Sequence, residues 1–249
     1  MLGTGTSQGV PVIGCQCEVC TSLDFRDKRL RSSILIEVDG LNIVIDSGPD
    51  FRQQMLRERV RKLDALVFTH EHKDHTAGMD DIRSFNFLQK KDMPIYAQKN
   101  VLDQLKREFA YVFAESKYPG VPQVAVQEID NKPFSVEGTE IIPIEVLHYK
   151  LPILGFRVKD FAYITDMKTI ADDEFEKLQN LDALVINALQ KTEHISHLTL
   201  DEAIAFAKKV GAKRTFFTHL SHKMGKHNDV DVLLPENIQI AYDGLTIDL

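Results

Sequence analysis

Short apolar runs alternate with amphipathic segments along the first third of this 249-residue chain. Residues 32–38 and 41–46 each predict a strand, and the Asp39-Gly40 pair between them is typical of a hairpin turn. Residues 50–59 predict a helix, and residues 64–69 predict a strand that leads directly into a run of histidines. A hairpin is thus followed by a strand–helix–strand unit.

The remainder of the chain continues this alternation, with several short strands between residues 124 and 165. Thr199 and Glu202 fit a capping-box pattern and Gly211 is a typical helix stop, so a helix is predicted between them. Further strands are predicted at 94–97, 183–187 and 214–218, and further helices at about 100–112 and 172–178. Hairpins that mix with strand–helix–strand units predict an α/β sandwich of two packed sheets with helices outside.

Composition and charge narrow the class of protein. Hydrophobic residues make up 43% and charged residues 27% of the chain, which fits one globular domain over residues 1–249 without a linker or repeat. The sequence contains neither an apolar run of membrane-spanning length nor a secretory signal, so we expect a cytoplasmic protein without a membrane partner. A net charge of −7 argues against a nucleic acid as its partner.

Three cysteines, Cys15, Cys17 and Cys20, lie within six residues. An odd number at this spacing is a poor disulfide framework, and a reduced metal-binding cluster is the better interpretation. Three thiolates need a fourth ligand to close a tetrahedral zinc site. The sequence therefore predicts one more ligand from elsewhere in the chain.

A second candidate site follows the strand at 64–69, where His70, His72, Asp74 and His75 stand within six residues. Three imidazoles and a carboxylate cannot all be core groups, because each would need its own buried polar partner. Imidazole nitrogens and carboxylate oxygens are ligands for Zn²⁺, Mn²⁺ and related ions. This run therefore predicts a metal site in a cleft at the strand end.

The spacing His-x-His-x-Asp-His after a strand resembles the signature of the metallo-β-lactamase fold hydrolases. The resemblance implies a four-layer αββα sandwich in which His70 and His72 bind one metal ion and Asp74 and His75 bind a second. It also implies that Asp46 orients ligands without binding metal. The resemblance implies three further ligands, each at the end of an apolar run: His148, a bridging Asp166, and His219.

The opening Leu2-Gly3-Thr4-Gly5-Thr6-Ser7-Gln8-Gly9-Val10-Pro11, followed by the cysteines, is similar to the PhnP-type branch. Those enzymes are phosphoribosyl cyclic phosphate phosphodiesterases related to the nuclease RNase Z. The resemblance implies that His222 is the fourth ligand of a structural zinc and that His197 belongs to the catalytic site. The family has several residues before this motif, so we expect a truncated or shortened N-terminal strand here.

The leading functional hypothesis is a dinuclear enzyme that cleaves a small phosphodiester, such as a ribosyl cyclic phosphate, by a metal-bridging hydroxide. Its expected cofactors are two Zn²⁺ or Mn²⁺ ions and one structural Zn²⁺, and its expected catalytic residues are Asp74, Asp166 and His197. Alternatives are an RNase Z-like tRNA endonuclease, a thioester or lactone hydrolase, and a metal-containing binding protein; a homodimer is also open. His194 and His227 are expected at the surface.

Arg83 is open to two interpretations at this stage. It follows the metal run in the stretch Asp80-Asp81-Ile82-Arg83, which resembles a family motif. Its guanidinium could contact a phosphate or pair with Asp80.

Overall fold

The computed structural model describes residues Met1–Leu249, and the chain divides into two compact units. Leu2 and Ser33–Asp130 form the first, which we call the five-stranded unit. Met1, Gly3–Ser32 and Asn131–Leu249 form the second, which we call the eight-stranded unit. No helix of either unit has the length and apolar character that a membrane crossing requires.

The five-stranded unit is a mixed sheet with short helices. Its strands, neighbours in this order, are β1 (Ile34–Val38), β2 (Leu41–Ile45), β3 (Ala65–Val67), β4 (Met93–Ala97) and β5 (Val124–Glu128). The first pair is an antiparallel hairpin and the remaining pairs are parallel. Its helices are α1 (Phe51–Arg57), α2 (Lys73–Thr76), α3 (Arg83–Gln89), α4 (Lys99–Glu108) and α5 (Ala110–Phe113), with a 3-10 helix at Met79–Ile82.

The core of this unit holds the histidine loop in place. Phe51, Leu66 and Phe68 are fully buried in one apolar cluster, and each such side chain stabilises the fold by about 1.5–3 kcal/mol. Gly78 ends the loop where two backbone segments approach closely, because its N–H donates to the Ser47 carbonyl at 2.7 Å. A Cβ at position 78 would lie 2.1 Å from a backbone oxygen, so only glycine fits there.

The strands of the eight-stranded unit are β6 (Phe134–Val136), β7 (Thr139–His148), β8 (Leu151–Val158), β9 (Phe161–Ile164), β10 (Thr169–Ile170), β11 (Ala183–Asn187), β12 (Arg214–Thr218) and β13 (Ile238–Ile240). Their order in the sheet is β10-β7-β8-β9-β11-β12-β13, with β6 beside β7. β7, β8 and β9 are antiparallel neighbours, whereas β9, β11, β12 and β13 run parallel. The helices are α6 (Leu200–Val210) and α7 (His227–Asp231), with 3-10 helices at Phe25–Asp27 and Asp172–Leu178.

Helix α6 forms as its sequence predicts. The Thr199 hydroxyl accepts from the Glu202 N–H at 3.2 Å, and the Glu202 carboxylate accepts from the Thr199 N–H at 2.8 Å. Gly211 ends the helix in the left-handed region at φ +70°, which suits glycine. The helix predicted at 172–178 is present, but as a 3-10 helix. Both units mix helices with sheet, as the predicted α/β class requires.

Candidate metal sites

The histidine run lies in the loop and first turn that follow β3, within the five-stranded unit. His70 Nε2 is 3.0 Å from His72 Nδ1, and the His70 and His75 ring centres are 4.3 Å apart. Asp74 Oδ2 is 3.2 Å from His75 Nε2. The four residues predicted for this unit are thus brought together, and their three imidazoles and one carboxylate suit Zn²⁺ or Mn²⁺.

Asp46, the residue after β2, is fully buried beneath this cluster and holds one of its histidines. Its carboxylate accepts from the Thr69 N–H at 2.9 Å and from the Thr69 hydroxyl at 2.8 Å. Oδ2 of Asp46, which accepts from the Thr69 hydroxyl, also lies 2.7 Å from His75 Nδ1. A carboxylate on Nδ1 fixes the ring orientation and directs Nε2 of His75 toward the neighbouring ligands. Asp46 therefore fixes the orientation of the His75 ring, which is compatible with the supporting role that the resemblance implies.

In the eight-stranded unit, His148 stands at the end of β7. Its Nδ1 lies 2.9 Å from the Asp166 carbonyl oxygen and 3.0 Å from the Ser196 carbonyl oxygen. Carbonyl oxygens only accept, so Nδ1 carries a proton and Nε2 is the ring nitrogen that can act as an acceptor. A histidine fixed in this way is prepared to bind a metal ion through Nε2.

Asp166 and His219 follow β9 and β12 and lie together in the same unit. Both residues have a φ of +57°, in the left-handed region where non-glycine residues are uncommon and where functional sites concentrate. Asp166 Oδ1 is 3.0 Å from His219 Nδ1, and both residues are almost fully buried. Asp166, His148 and His197 each offer one ligand atom within 4.8 Å of the others. The His148 imidazole and the Asp166 carboxylate are donor types that suit a divalent ion.

His197 is packed between two of these residues. Its ring centre is 4.6 Å from that of His148 and 4.9 Å from that of His219, and its side chain is 8% exposed. Nδ1 of His197 is buried without a hydrogen-bond partner. Burial lowers the pKa of His197 to about 3, against the opposing effect of the Asp166 charge.

His194 and His227 differ from the expectation that both are surface residues. His194 is half-buried, and its ring centre is 5.0 Å from that of His197. His227 is buried, with Nδ1 3.4 Å from an Arg29 guanidinium nitrogen, so the prediction was wrong for this residue.

In the five-stranded unit, the Arg83 guanidinium is 3.5 Å from the Asp80 carboxylate, so it forms the ion pair that the sequence offered as one of two alternatives.

The cysteine cluster meets its predicted fourth ligand inside the eight-stranded unit. The sulfur atoms of Cys15, Cys17 and Cys20 lie 3.2, 3.4 and 3.5 Å from His222 Nδ1, and none of the three is in a disulfide. The Cys20 backbone N–H lowers the pKa of Cys17 to about 6, whereas burial raises that of Cys20 to about 11. Three sulfurs and one imidazole nitrogen within 4.8 Å of one another match a closed tetrahedral zinc site.

Comparison with known proteins identifies the superfamily of this chain. Residues 41–220 match the beta-lactamase superfamily domain. An octanoyltransferase of Porphyromonas gingivalis is 42% identical over 98% of this chain, which spans only about half (50%) of that relative's length. The crystal structure of a diphosphatase from the PhnP family is 41% identical, with a TM-score of 0.93 over 100% of this chain and 96% of that one.

A third comparison extends the likeness of fold. Zn²⁺-bound PqqB from Methylobacterium extorquens is 19% identical and superimposes with a TM-score of 0.80 over 100% of this chain and 98% of its own. The superfamily match and the PhnP-family structure confirm the predicted fold class and the predicted resemblance to PhnP. The chain therefore belongs to the beta-lactamase superfamily and has a metallo-β-lactamase fold that resembles the PhnP-family structure.

Proposed function

We propose that this protein is a metal-dependent phosphohydrolase that acts on small compounds whose reacting phosphorus carries two substituents. Cyclic ribosyl phosphates and substituted diphosphates both fall in this class. The observation that carries the proposal is the end-to-end likeness to a PhnP-family diphosphatase at 41% identity. The net charge of −7 favours a small-molecule substrate over a nucleic acid.

The proposed metal ligands are the histidine and aspartate residues that the sequence predicts in each unit. The residues that would hold two divalent ions, Zn²⁺ or Mn²⁺, are His70, His72, Asp74, His75, His148, Asp166 and His219. When bound, such ions polarise phosphoryl oxygens and lower the pKa of water to near neutrality. Cys15, Cys17, Cys20 and His222 would hold a separate structural Zn²⁺ that stabilises the N-terminal loop.

The chain's own groups prepare this site before any substrate binds. The Asp46 carboxylate and the two carbonyls on His148 Nδ1 hold ligand imidazoles in fixed tautomers, so little reorganisation remains when substrate arrives. His197 packs on His148 and His219 but comes from a different loop, which leaves it suited to the leaving oxygen. We assign His197 the donation of a hydrogen bond from its neutral ring to that oxygen, because burial lowers its pKa to about 3.

A panel of substrates tests the proposal. Metal-loaded protein should hydrolyse bis(p-nitrophenyl) phosphate, a ribosyl cyclic phosphate or a substituted diphosphate faster than p-nitrophenyl phosphate. A monoester dianion carries an additional negative charge and binds more like the product phosphate. Faster turnover of the monoester would contradict the assignment, and efficient cleavage of precursor tRNA would favour a nuclease.

A second candidate is the hydrolysis of an acyl thioester by the same residues. The octanoyltransferase of P. gingivalis favours this candidate. About half of that protein matches this chain, and its name refers to the transfer of an acyl group. An octanoyl thioester in the same panel separates the candidates. Turnover of that thioester without turnover of any phosphate compound would replace the phosphohydrolase assignment.

A further inference from the structure

The backbone of Ser196 forms hydrogen bonds with two histidines: it donates to one of them and accepts from the other. The Ser196 N–H donates to His194 Nδ1 at 3.4 Å, and the Ser196 hydroxyl lies 3.3 Å from the same nitrogen. The Ser196 carbonyl oxygen instead accepts from His148 Nδ1 at 3.0 Å. A backbone N–H can only donate and a carbonyl can only accept, so these contacts assign different tautomers to the two rings.

The consequence differs for each histidine. His148 carries its proton on Nδ1 and presents a bare Nε2, which is what a metal ligand requires. In neutral His194, Nδ1 is the acceptor and Nε2 carries the proton. The second ring nitrogen of neutral His194 is therefore a hydrogen-bond donor, suited to an oxyanion and unsuited to a metal ion.

The surroundings of His194 also favour an anion. Its ring centre lies 5.0 Å from that of His197, which places it at the edge of the histidine cluster of the eight-stranded unit, and it is only half-buried. His148, Lys168 and Lys223 act on it electrostatically. The Lys168 ammonium is held by both carboxylate oxygens of Glu202 at 2.8 and 2.9 Å. Lys223 is exposed and adds positive charge on this side.

We propose that His194 is a substrate-binding residue whose Nε2–H donates a hydrogen bond to a phosphoryl oxygen of the substrate. This proposal rests on the phosphohydrolase function. Ser196 is then a positioning residue that gives two neighbouring histidines different tasks, one toward the metal ion and one toward the substrate. The proton stays on His194, and no bond is made or broken there.

The tautomers are measurable without turnover. Long-range ¹H–¹⁵N spectra of the zinc-loaded protein should show His194 protonated on Nε2 and His148 protonated on Nδ1. Ser196→Ala keeps both backbone contacts, so the same pattern should persist in that variant. A His194 ring protonated on Nδ1 would overturn the proposal.

Substrate binding is tested with His194→Leu, which removes the donor, and His194→Gln, whose amide N–H2 can replace it. A hydrogen bond to a charged group predicts that His194→Leu raises KM for bis(p-nitrophenyl) phosphate by about 10- to 100-fold, with metal content unchanged. His194→Gln should recover most of this loss. Ile195→Ala changes an exposed neighbour on the same loop and is the matched control, with a KM near that of wild type.

The outcomes separate this inference from the function on which it rests. Active wild-type protein together with a His194→Leu KM within twofold of the control would overturn the inference alone. Loss of metal from His194→Leu would also overturn it, since His194 would then support the metal site. Wild-type protein that hydrolyses no phosphate compound would overturn the proposed function and this inference with it.

Discussion

The Nδ1 atom of His148 lies 2.9 Å from the carbonyl oxygen of Asp166, so the side chain of one proposed metal ligand is bonded to the backbone of another. The contact joins the end of β7 to the segment after β9. Because Asp166 is held at a φ of +57°, its carbonyl is fixed by backbone conformation as well as by this bond. Displacing either residue should therefore displace the other, and with it the donor set of the eight-stranded unit.

Asp46→Asn should weaken the metal site without unfolding the protein. The amide can still accept from the Thr69 N–H, but its NH2 group would face His75 Nδ1 and disfavour the tautomer that leaves Nε2 bare. Loss of such a supporting carboxylate typically weakens metal binding by about 10- to 100-fold. Chelator titration followed by metal analysis measures this change.

Asp64→Asn is the matched control, because Asp64 is also buried but lies before β3, at the opposite end from the histidine loop. It should lower the free energy of unfolding and leave metal affinity unchanged. Equal metal affinity in Asp46→Asn and wild type would remove Asp46 from the site.

The sequence predicts best those site residues that lie close together along the chain. The histidine run is readable because four residues of metal-binding type follow one apolar strand, whereas His148, Asp166 and His219 each end an apolar run and are identified through the family resemblance. Nothing in the sequence around His194 predicts that the Ser196 N–H donates to its Nδ1 and thereby selects the tautomer of the ring. The burial of His227 has no local sequence signal, since its ring contacts Arg29, a residue 198 positions away along the chain.

The secondary structure is likewise predictable only where its signals are local along the chain. Helix α6 is predictable because its capping box and terminal glycine are local signals, whereas β13 spans only three residues and pairs with β12 through tertiary context. The 3-10 geometry at Asp172–Leu178 likewise has no distinct sequence signal. Its buried Glu174 is bonded to Asn131 and to the backbone of Glu145, both distant in sequence.

Cys17→Ser should remove the proposed structural zinc and lower Tm. A thiolate ligand is lost from a closed four-ligand site, and a loss of about 2 kcal/mol or more would lower Tm by roughly 4–8 °C in a chain of this size. Differential scanning calorimetry with metal analysis measures both effects. Leu23→Ser, at a fully exposed position on the same loop, should change neither. A Cys17→Ser protein with full zinc content and wild-type Tm would be incompatible with this site.

His197→Ala should reduce kcat by about 10²- to 10³-fold on a diester with a poor leaving group, the loss typical of one hydrogen-bond donor to a developing oxyanion. The loss should be smaller with p-nitrophenolate, which departs without a proton. Metal content and Tm should barely change, because His197 contacts ligand rings but is not proposed as a ligand. An equal loss on good and poor leaving groups would show that His197 positions phosphate, and a lost ion would show that it binds metal.

Glu174 should make stability depend on pH in the acidic range. Burial alone would raise the pKa of Glu174, but hydrogen bonds from Lys177, Asn131 and the Glu145 N–H outweigh it and lower the pKa below its usual range. A carboxyl with a lowered folded-state pKa stabilises the fold above its unfolded pKa of about 4.3, and this contribution is lost as pH falls through the folded value.

Chemical denaturation of wild type and Glu174→Gln between pH 7 and pH 3 tests this linkage. The difference in free energy of unfolding between the two proteins should be largest near neutrality and shrink as pH falls. Glu176→Gln, an exposed neighbour, should follow wild type throughout. A difference that stays constant or grows toward low pH would refute the assignment.

Our central proposal is that this protein hydrolyses phosphodiesters with divalent ions held by its histidine and aspartate residues, Asp166 among them. Metal content and hydrolysis of bis(p-nitrophenyl) phosphate, measured on the same samples of wild type and Asp166→Ala, test it most directly. Wild type should hold about three ions per chain, two of them removable by chelator together with the activity. Asp166→Ala should keep only the zinc of the cysteine site and lose diester hydrolysis. An Asp166→Ala protein that retains the two removable ions and hydrolyses the diester at the wild-type rate would contradict the claim.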